Sequence, residues 1–194
     1  MIAIIDYGAG NANSVKNALD YLGYSSFITS EPDKILKAGK TVFPGVGNFG
    51  DVMKELKERK LDAAIKKYVE AKKPFLGICI GLQVLFEGSE ESPRLKGLGI
   101  FKGKVVKFRK GKIPQIGWNK IESKTIGEGY AYFVNSYYAV PEDKKIIEST
   151  SDYNGKFTAA IKQDNVLATQ FHLEKSGKFG LKILKKWLEC LQKE

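Results

Sequence analysis

The chain contains a single histidine, His172, two cysteines, Cys79 and Cys190, and arginine only at Arg59, Arg94 and Arg109. So small a stock of imidazole and thiol, at such wide spacing, builds none of the usual zinc sites, and no metal or other cofactor is expected. The two cysteines lie in unlike contexts, one in a glycine-rich turn and one in a late amphipathic stretch, so a disulfide framework is not expected either. No apolar run approaches the ~20 residues needed to cross a bilayer, and MIAIIDYGAG has no basic segment ahead of its apolar residues. The expectation is therefore a cytoplasmic protein with no membrane role. The shortage of arginine also bears on the net charge of +10, which is nearly all lysine. Base readout favours arginine, and no nucleic-acid motif is present. The charge reads as a solvated lysine surface, suited to an acidic protein partner, and no nucleic acid is expected.

What is present suits one well-filled core. At 194 residues, with 43% hydrophobic and 28% charged positions, the chain is expected to form a single domain spanning residues 1–194. Ile2–Asp6, Ser25–Thr29, Thr41–Phe43 and Pro74–Ile78 are short apolar runs of strand character. Between them lie helical patterns at Ser14–Leu22, Pro32–Lys37, Asp51–Arg59 and Leu61–Lys72. This alternation predicts an α/β fold, doubly wound around a mostly parallel central sheet, with ligands at the carboxyl ends of the strands. From Lys104 onwards the chain changes to short β-rich runs, Val105–Phe108, Gly117–Ile121, Tyr130–Val134, Tyr137–Val140, Ile146–Thr150, Phe157–Ile161 and Val166–Gln170. They predict an antiparallel extension of the sheet. A last helix is expected over Gly177–Gln192, with Phe179, Ile183, Leu184, Trp187, Leu188 and Leu191 facing the core.

The stretch PFLGICIGLQVLF, Pro74–Phe86, organises the rest. A buried strand turns sharply into a helix there, and Gly77 and Gly81 flank Cys79 in the turn. That spacing permits a tight elbow that lifts the cysteine side chain clear of the backbone. A helix N-terminus beneath the sulfur favours its charged form, as a nucleophile requires. The alternative is a buried structural cysteine.

The third strand leads into PGVGNFGD, where Gly45, Gly47 and Gly50 spell G-x-G-x-x-G. A dinucleotide loop of that form belongs after the first strand and needs an acid at the end of the next, where Cys79 stands instead. The other use of such a backbone is as an anion nest, aiming the N–H groups of Val46 and Gly47 at a developing oxyanion. His172 lies in ATQFHLEKSG, and Glu174, two residues on in an extended stretch, is placed to hold its ring in one tautomer. If the strand before His172 runs beside the Cys79 strand, the chain has a Cys–His–Glu set of nucleophile, base and orienter.

GICIGLQ around Cys79 and FHLEKS around His172, with PGVGNFGD and FVNSYYAV, resemble the class I glutamine amidotransferases, whose glutaminase domains carry G-x-C-x-G-x-Q and F-H-P-E. Within that family, DYGAGN, NSVKNAL, FPGVGNFGDVM, IPQIGWN and YFVNSYY are similar to the glutaminase subunits of histidine biosynthesis. The resemblance runs from Ile2 to the final helix and implies a flavodoxin-like glutaminase domain. It implies hydrolysis of glutamine by Cys79, His172 and Glu174, with an oxyanion hole from Ile80 and the Val46–Gly47 loop. Gly47, Gln83, Glu91, Ser136 and Tyr137 would hold the substrate. It also implies docking onto a (β/α)8 cyclase subunit that receives ammonia, with Asn11, Trp118, Tyr132 and Lys175 at the interface. The sequence departs from the family at Leu173, where proline is usual, and at Gln115 and Asn135, where histidines are usual. Three rivals stand beside this reading. One is an amidotransferase of another pathway, one a Cys–His hydrolase or redox sensor on a similar sheet, and one a nucleotide-binding domain using Gly45–Gly50.

Overall fold

Apolar runs of four residues become the strands of a parallel sheet, because runs this short are buried on both faces only when helices cover each side. The computed structural model describes residues 1–8 and 11–189. Ala9 and Gly10 of the DYGAGN motif, Cys190, and the end of the last expected helix with Leu191 lie outside the described residues.

The parallel half of the molecule consists of β1 (Ile2–Ile5), β2 (Ser26–Thr29), β3 (Lys40–Phe43) and β4 (Phe75–Ile78). Between them run α1 (Ala12–Tyr21), α2 (Pro32–Lys37), α3 (Phe49–Glu58) and α4 (Leu61–Glu70). The helix after Cys79 is shorter than the apolar stretch suggested, since α5 covers only Ile80–Gln83. Next come β5 (Gly88–Ser89), β6 (Gly103–Lys107), β7 (Gln115–Ser123), β8 (Gly129–Asn135) and β9 (Tyr137–Pro141). The chain continues through β10 (Ile147–Asp152), β11 (Lys156–Gln163), β12 (Val166–Thr169) and α6 (Gly177–Glu189). Among the described residues, no helix is long and apolar enough to cross a membrane.

Nine strands form one sheet in the order β2-β1-β3-β4-β12-β11-β10-β7-β8, parallel from β2 to β12 and antiparallel beyond. The fold is thus the expected doubly wound, mostly parallel α/β sheet with an antiparallel extension. One part of that extension differs: β6 lies outside the main sheet, between β5 and β9, in a separate three-stranded sheet.

Alternation along the strands sorts the core into two layers. Ile5, Phe43, Phe75, Val166 and Ala168 face the layer built by α2, α3 and α4. Ile2, Ile4, Val42, Leu76, Ile78 and Leu167 face the layer built by α1 and α6. A period of two along each strand delivers one set of side chains to each face. Each buried Leu, Ile or Phe contributes about 1.5–3 kcal/mol by leaving water. Leu184, Trp187 and Leu188 of α6 are buried in the second layer as the helical stripe predicted.

Within the sheet, the β7–β8 hairpin pairs with β10 at two registers, Ser149–Ser123 and Thr150–Glu122, while Ile121, Ala131 and Phe133 pack into the second layer. The hairpin folds back far enough for Tyr132 to bridge His172. This return brings the antiparallel end of the sheet over the carboxyl ends of β4 and β12.

Candidate active site

Cys79 stands between β4 and α5 with φ +52° and ψ −105°. A non-glycine residue in this region is strained by about 1–3 kcal/mol, and the surroundings must hold it there. The clamp is visible in the glycines. A methyl group on Gly77 would lie 2.5 Å from the Gly81 carbonyl oxygen, and one on Gly81 would lie 2.6 Å from that of Phe43. A methyl on Gly45 would meet the Ile78 carbonyl oxygen at 1.8 Å and the Cys79 Cβ at 2.9 Å. The two glycine loops therefore pack face to face, as expected for loops at the ends of neighbouring strands. The elbow is closed from the far side by the Cys79 N–H, which donates to Thr169 O at 2.7 Å.

That last bond follows from the order of strands. β12 lies parallel to β4 with Thr169 level with Ile78, so the residues after each strand emerge side by side. His172 then follows Cys79 into the same region. The link from His172 to Glu174 differs from the expected extended geometry, because Leu173–Lys175 is a turn of 3-10 helix. The turn still brings His172 Nδ1 to 2.7 Å from Glu174 Oε1, with the two side chains 0% and 1% exposed. Leu173, which stands where proline is usual in the family it resembles, is fully buried inside this turn. Asn11 Nδ2 donates to the same Glu174 Oε1 at 3.1 Å, while the His172 N–H donates to Tyr132 O at 3.0 Å.

Burial pulls the His172 ring towards its neutral form, but the Cys79 sulfur and the Glu174 carboxylate outweigh it and raise its pKa to about 10. At neutral pH the ring therefore holds a proton on each nitrogen. Its Nε2 is buried and has no hydrogen-bond partner of ordinary geometry among the described residues, yet the sulfur is near enough to act on the ring.

In front of Cys79 lies a pocket of about 170 Å³. Gly47, Cys79, Ile80, Gln83, Glu91, Ser136 and Tyr137 line it, together with Pro114, Val134 and Asn135. Every residue expected to hold substrate is thus gathered at one opening. Glu91 reaches it from the loop after β5, and its Oε2 accepts from the Phe49 N–H at 2.7 Å at the start of α3. Gln83 Nε2 donates to Tyr137 O at 3.1 Å and to Gln170 Oε1 at 3.0 Å.

Val46 is the exception among the expected groups. Its N–H donates to the Tyr7 hydroxyl at 3.2 Å, and that hydroxyl donates to Val46 O at 2.7 Å. Burial pushes Tyr7 up to about 12, so it remains a hydroxyl and needs partners that water cannot supply. The Val46 loop supplies them. Gly47, with φ +128°, lines the pocket, and Ile80 is the first residue of α5, where an N–H has no acceptor within its own helix.

Two groups at the site had no role in the sequence reading. Gln170 is fully buried and places Nε2 3.6 Å from Cys79 Sγ, and Asn135 Nδ2 donates to Tyr137 O at 2.9 Å. Asn135 stood out only as a departure, and its register partner Gln115 is buried with neither amide atom hydrogen-bonded among the described residues.

Outside the pocket, Ile116, Trp118 and Tyr130 are exposed on one face of the β7–β8 hairpin. Trp118 packs edge-on against Tyr132 with ring centroids 6.0 Å apart. The four residues expected at a partner interface, Asn11, Trp118, Tyr132 and Lys175, therefore gather around the segment that carries His172 and Glu174.

Residues 3–190 match the family model described as glutamine amidotransferase class-I. The chain is 45% identical, over 98% of its length and all of the relative's, to imidazole glycerol phosphate synthase subunit HisH 1 of Methanococcus maripaludis. It is 50% identical to imidazole glycerol phosphate synthase subunit HisH of Pyrococcus furiosus, over 95% of this chain and 96% of that one. Among solved structures, a crystal structure of a glutamine amidotransferase superposes with a TM-score of 0.81 at 18% identity, over 97% of this chain and 98% of that one.

Proposed function

The chain belongs to the class I glutamine amidotransferases, and from that premise we propose that it is the glutaminase subunit of an imidazole glycerol phosphate synthase. It hydrolyses glutamine to glutamate and passes ammonia to a cyclase subunit. The observation that carries this reading is the buried His172–Glu174 pair set beside Cys79, which itself opens on a pocket lined by Gln83, Glu91, Ser136 and Tyr137. The near-complete overlap with relatives named as HisH subunits supports the choice of pathway.

In this mechanism the Cys79 sulfur attacks the side-chain amide carbon of glutamine. The oxygen of the tetrahedral intermediate is held by the N–H groups of Ile80 and the glycine loop, each donor contributing about 3 kcal/mol. Of the loop donors, Gly47 is free to serve while Val46 is engaged by Tyr7. His172 delivers a proton to the departing nitrogen, the C–N bond breaks, and a glutamyl thioester remains on Cys79. The ring, now neutral, takes a proton from water as it attacks the thioester. Glu174 fixes Nδ1 and so keeps Nε2 directed at the reacting atoms. Glu91 supplies a negative charge that suits the ammonium end of the amino acid, and the backbone of Ser136 and Tyr137 lines its other side.

Ammonia released into water is protonated and lost as a nucleophile, so the product must pass directly to a partner. The relatives' names call them subunits, and the apolar face of Ile116, Trp118 and Tyr130 suits a docking surface. We assign this face to the (β/α)8 cyclase subunit, with Asn11 and Lys175 at its rim. Asn11 then links the docked face to the site, since it shares the Glu174 oxygen with His172.

The test is glutamate release from glutamine by the chain mixed with the cyclase subunit and its nucleotide ligand, beside Cys79→Ala. Release that needs the partner and disappears in the variant is expected. Equal silence of both proteins in a complex demonstrated by gel filtration would overturn the reading.

A further inference from the structure

Gln170 has no part in the mechanism above, yet its buried side chain touches both the nucleophile and a pocket residue. The hydrogen bonds through it have a direction that is fixed at one end. The backbone carbonyl of Tyr137 can only accept, so Gln83 must turn Nε2 towards it rather than Oε1. The second hydrogen of that nitrogen goes to Gln170 Oε1. With its oxygen engaged, Gln170 turns its own N–H towards Cys79 Sγ at 3.6 Å. Flipping the Gln83 amide would set its oxygen against the Tyr137 carbonyl, and flipping that of Gln170 would set nitrogen against nitrogen and oxygen against sulfur. Asn135 Nδ2 anchors the far end by donating to the same carbonyl at 2.9 Å. The sulfur therefore has a donor aimed at it by an unflippable backbone group.

We propose that Gln170 is a further catalytic residue of this site, whose amide N–H, aimed by Gln83, donates to the Cys79 sulfur whenever that atom carries negative charge. The proposal rests on the glutaminase reading for the step in which it acts. In thioester hydrolysis, water adds to the carbonyl carbon and yields a proton to His172. The intermediate then collapses, the C–S bond breaks, and its electron pair goes to the sulfur. Gln170 donates to the sulfur as it departs with that electron pair, His172 keeps the proton taken from water, and the acid released gives its own proton to solvent as glutamate, so that the charged sulfur stands again beside the charged ring. A hydrogen bond to a charged acceptor is stronger than one to a neutral group, so the contact matters most at that moment.

The variants are Gln170→Met and Gln83→Met, which keep bulk but remove the amides. In the complex with the cyclase subunit, Gln170→Met is expected to lower kcat roughly 10- to 100-fold, as loss of a hydrogen bond to a charged group does, with the KM for glutamine within about threefold. A second readout needs no glutamine. The rate at which iodoacetamide alkylates Cys79, followed by mass spectrometry at neutral pH, should fall several-fold in both variants, because a donor favours the charged, reactive form of sulfur. Wild-type kcat or a wild-type alkylation rate in Gln170→Met would overturn the proposal. A wild-type alkylation rate in Gln83→Met would overturn the aiming role of Gln83. Slower alkylation in the variants of a protein that never hydrolyses glutamine would sink the glutaminase reading while upholding the donor at the sulfur. Thermal unfolding establishes that each variant is folded, and Gln170→Leu replaces the methionine variant if it is not.

Discussion

The two halves of the large sheet treat their strands in opposite ways. In the parallel half, every residue of β1, β4 and β12 is buried. In the β7–β8 hairpin at the other end, burial alternates and Ile116, Trp118 and Tyr130 stand in solvent. The parallel half fixes atoms whose positions cannot vary, namely the strained Cys79 and the His172–Glu174 pair beside it. The hairpin holds the outer wall of the pocket through Val134 and Asn135 and keeps one apolar face free. The division suits a catalyst that answers to a partner: the groups we propose as reacting stand on the fully buried half, and the face we propose for the partner stands on the half-exposed hairpin. The two halves meet through Ile121, Ala131 and Phe133, which are buried in the second layer, and near the site through the Tyr132–His172 bridge and the Ser176 hydroxyl, which donates to His172 O and accepts from the Tyr132 N–H.

One methyl group added to a glycine in each half tests how differently the two are packed. Gly45→Ala drives a methyl into the Ile78 carbonyl, between two backbones that have no room to part. A loss of upward of about 3 kcal/mol is expected, read as a fall in the thermal unfolding midpoint. Gly117→Ala on β7 meets nothing within 4 Å among the described residues, so its cost is the left-handed φ of +140°. A loss of about 1–2 kcal/mol is expected there. Equal losses at the two positions would mean that the halves are not packed as differently as their burial implies.

A smaller effect on the fold and a large one on catalysis is expected from Glu174→Gln. The substitution keeps the volume at the site but replaces the carboxylate that holds the His172 proton on Nδ1. An amide can present its nitrogen there and favour the wrong tautomer, as happens when the acid of a related triad becomes an amide. A fall in kcat of roughly 100-fold or more is expected, with KM little changed and binding of the cyclase subunit intact. Near-normal turnover would show that the turn of Leu173–Lys175 alone aims the ring.

Much of the parallel half was legible in the sequence because its constraints are local. Short apolar runs, glycines on both sides of Cys79 and the G-x-G-x-x-G loop each state a requirement of the backbone where they stand. The strand order then had to be supposed, and β12 beside β4 is where the supposition and the structure agree. The small sheet was not legible, since β5 is two residues long and carries no alternation to read. The return of the hairpin over His172 was hidden because it depends on contacts distant in sequence, two register pairs with β10 and the Tyr132–His172 bridge among them. Gln170 was missed for a related reason. A buried glutamine acquires meaning from the partners that satisfy it, and Gln83 and Cys79 lie 87 and 91 residues away. The engagement of Val46 by Tyr7 likewise joins groups 39 residues apart.

The smallest effect expected is on the pH dependence of stability, and it concerns only the parallel half. The pKa of His172 in the folded protein, about 10, lies above the value near 6.5 of an exposed imidazole. Folding therefore strengthens proton binding at this ring, and the stability that follows is fully present below about pH 6.5 and is lost as pH rises towards 10. Titration of the many lysines overlaps the upper part of that range, so the informative quantity is a difference between proteins. Between about pH 6.5 and 9.5 the unfolding midpoint of the wild type should fall more steeply than that of Glu174→Gln, in which one of the two groups favouring the charged ring is gone. Gly117→Ala, which touches only the hairpin, should keep the wild-type slope at a lower midpoint. If Glu174→Gln ran parallel to the wild type, the carboxylate would not be what holds the proton on His172, and the sulfur alone would have to account for it.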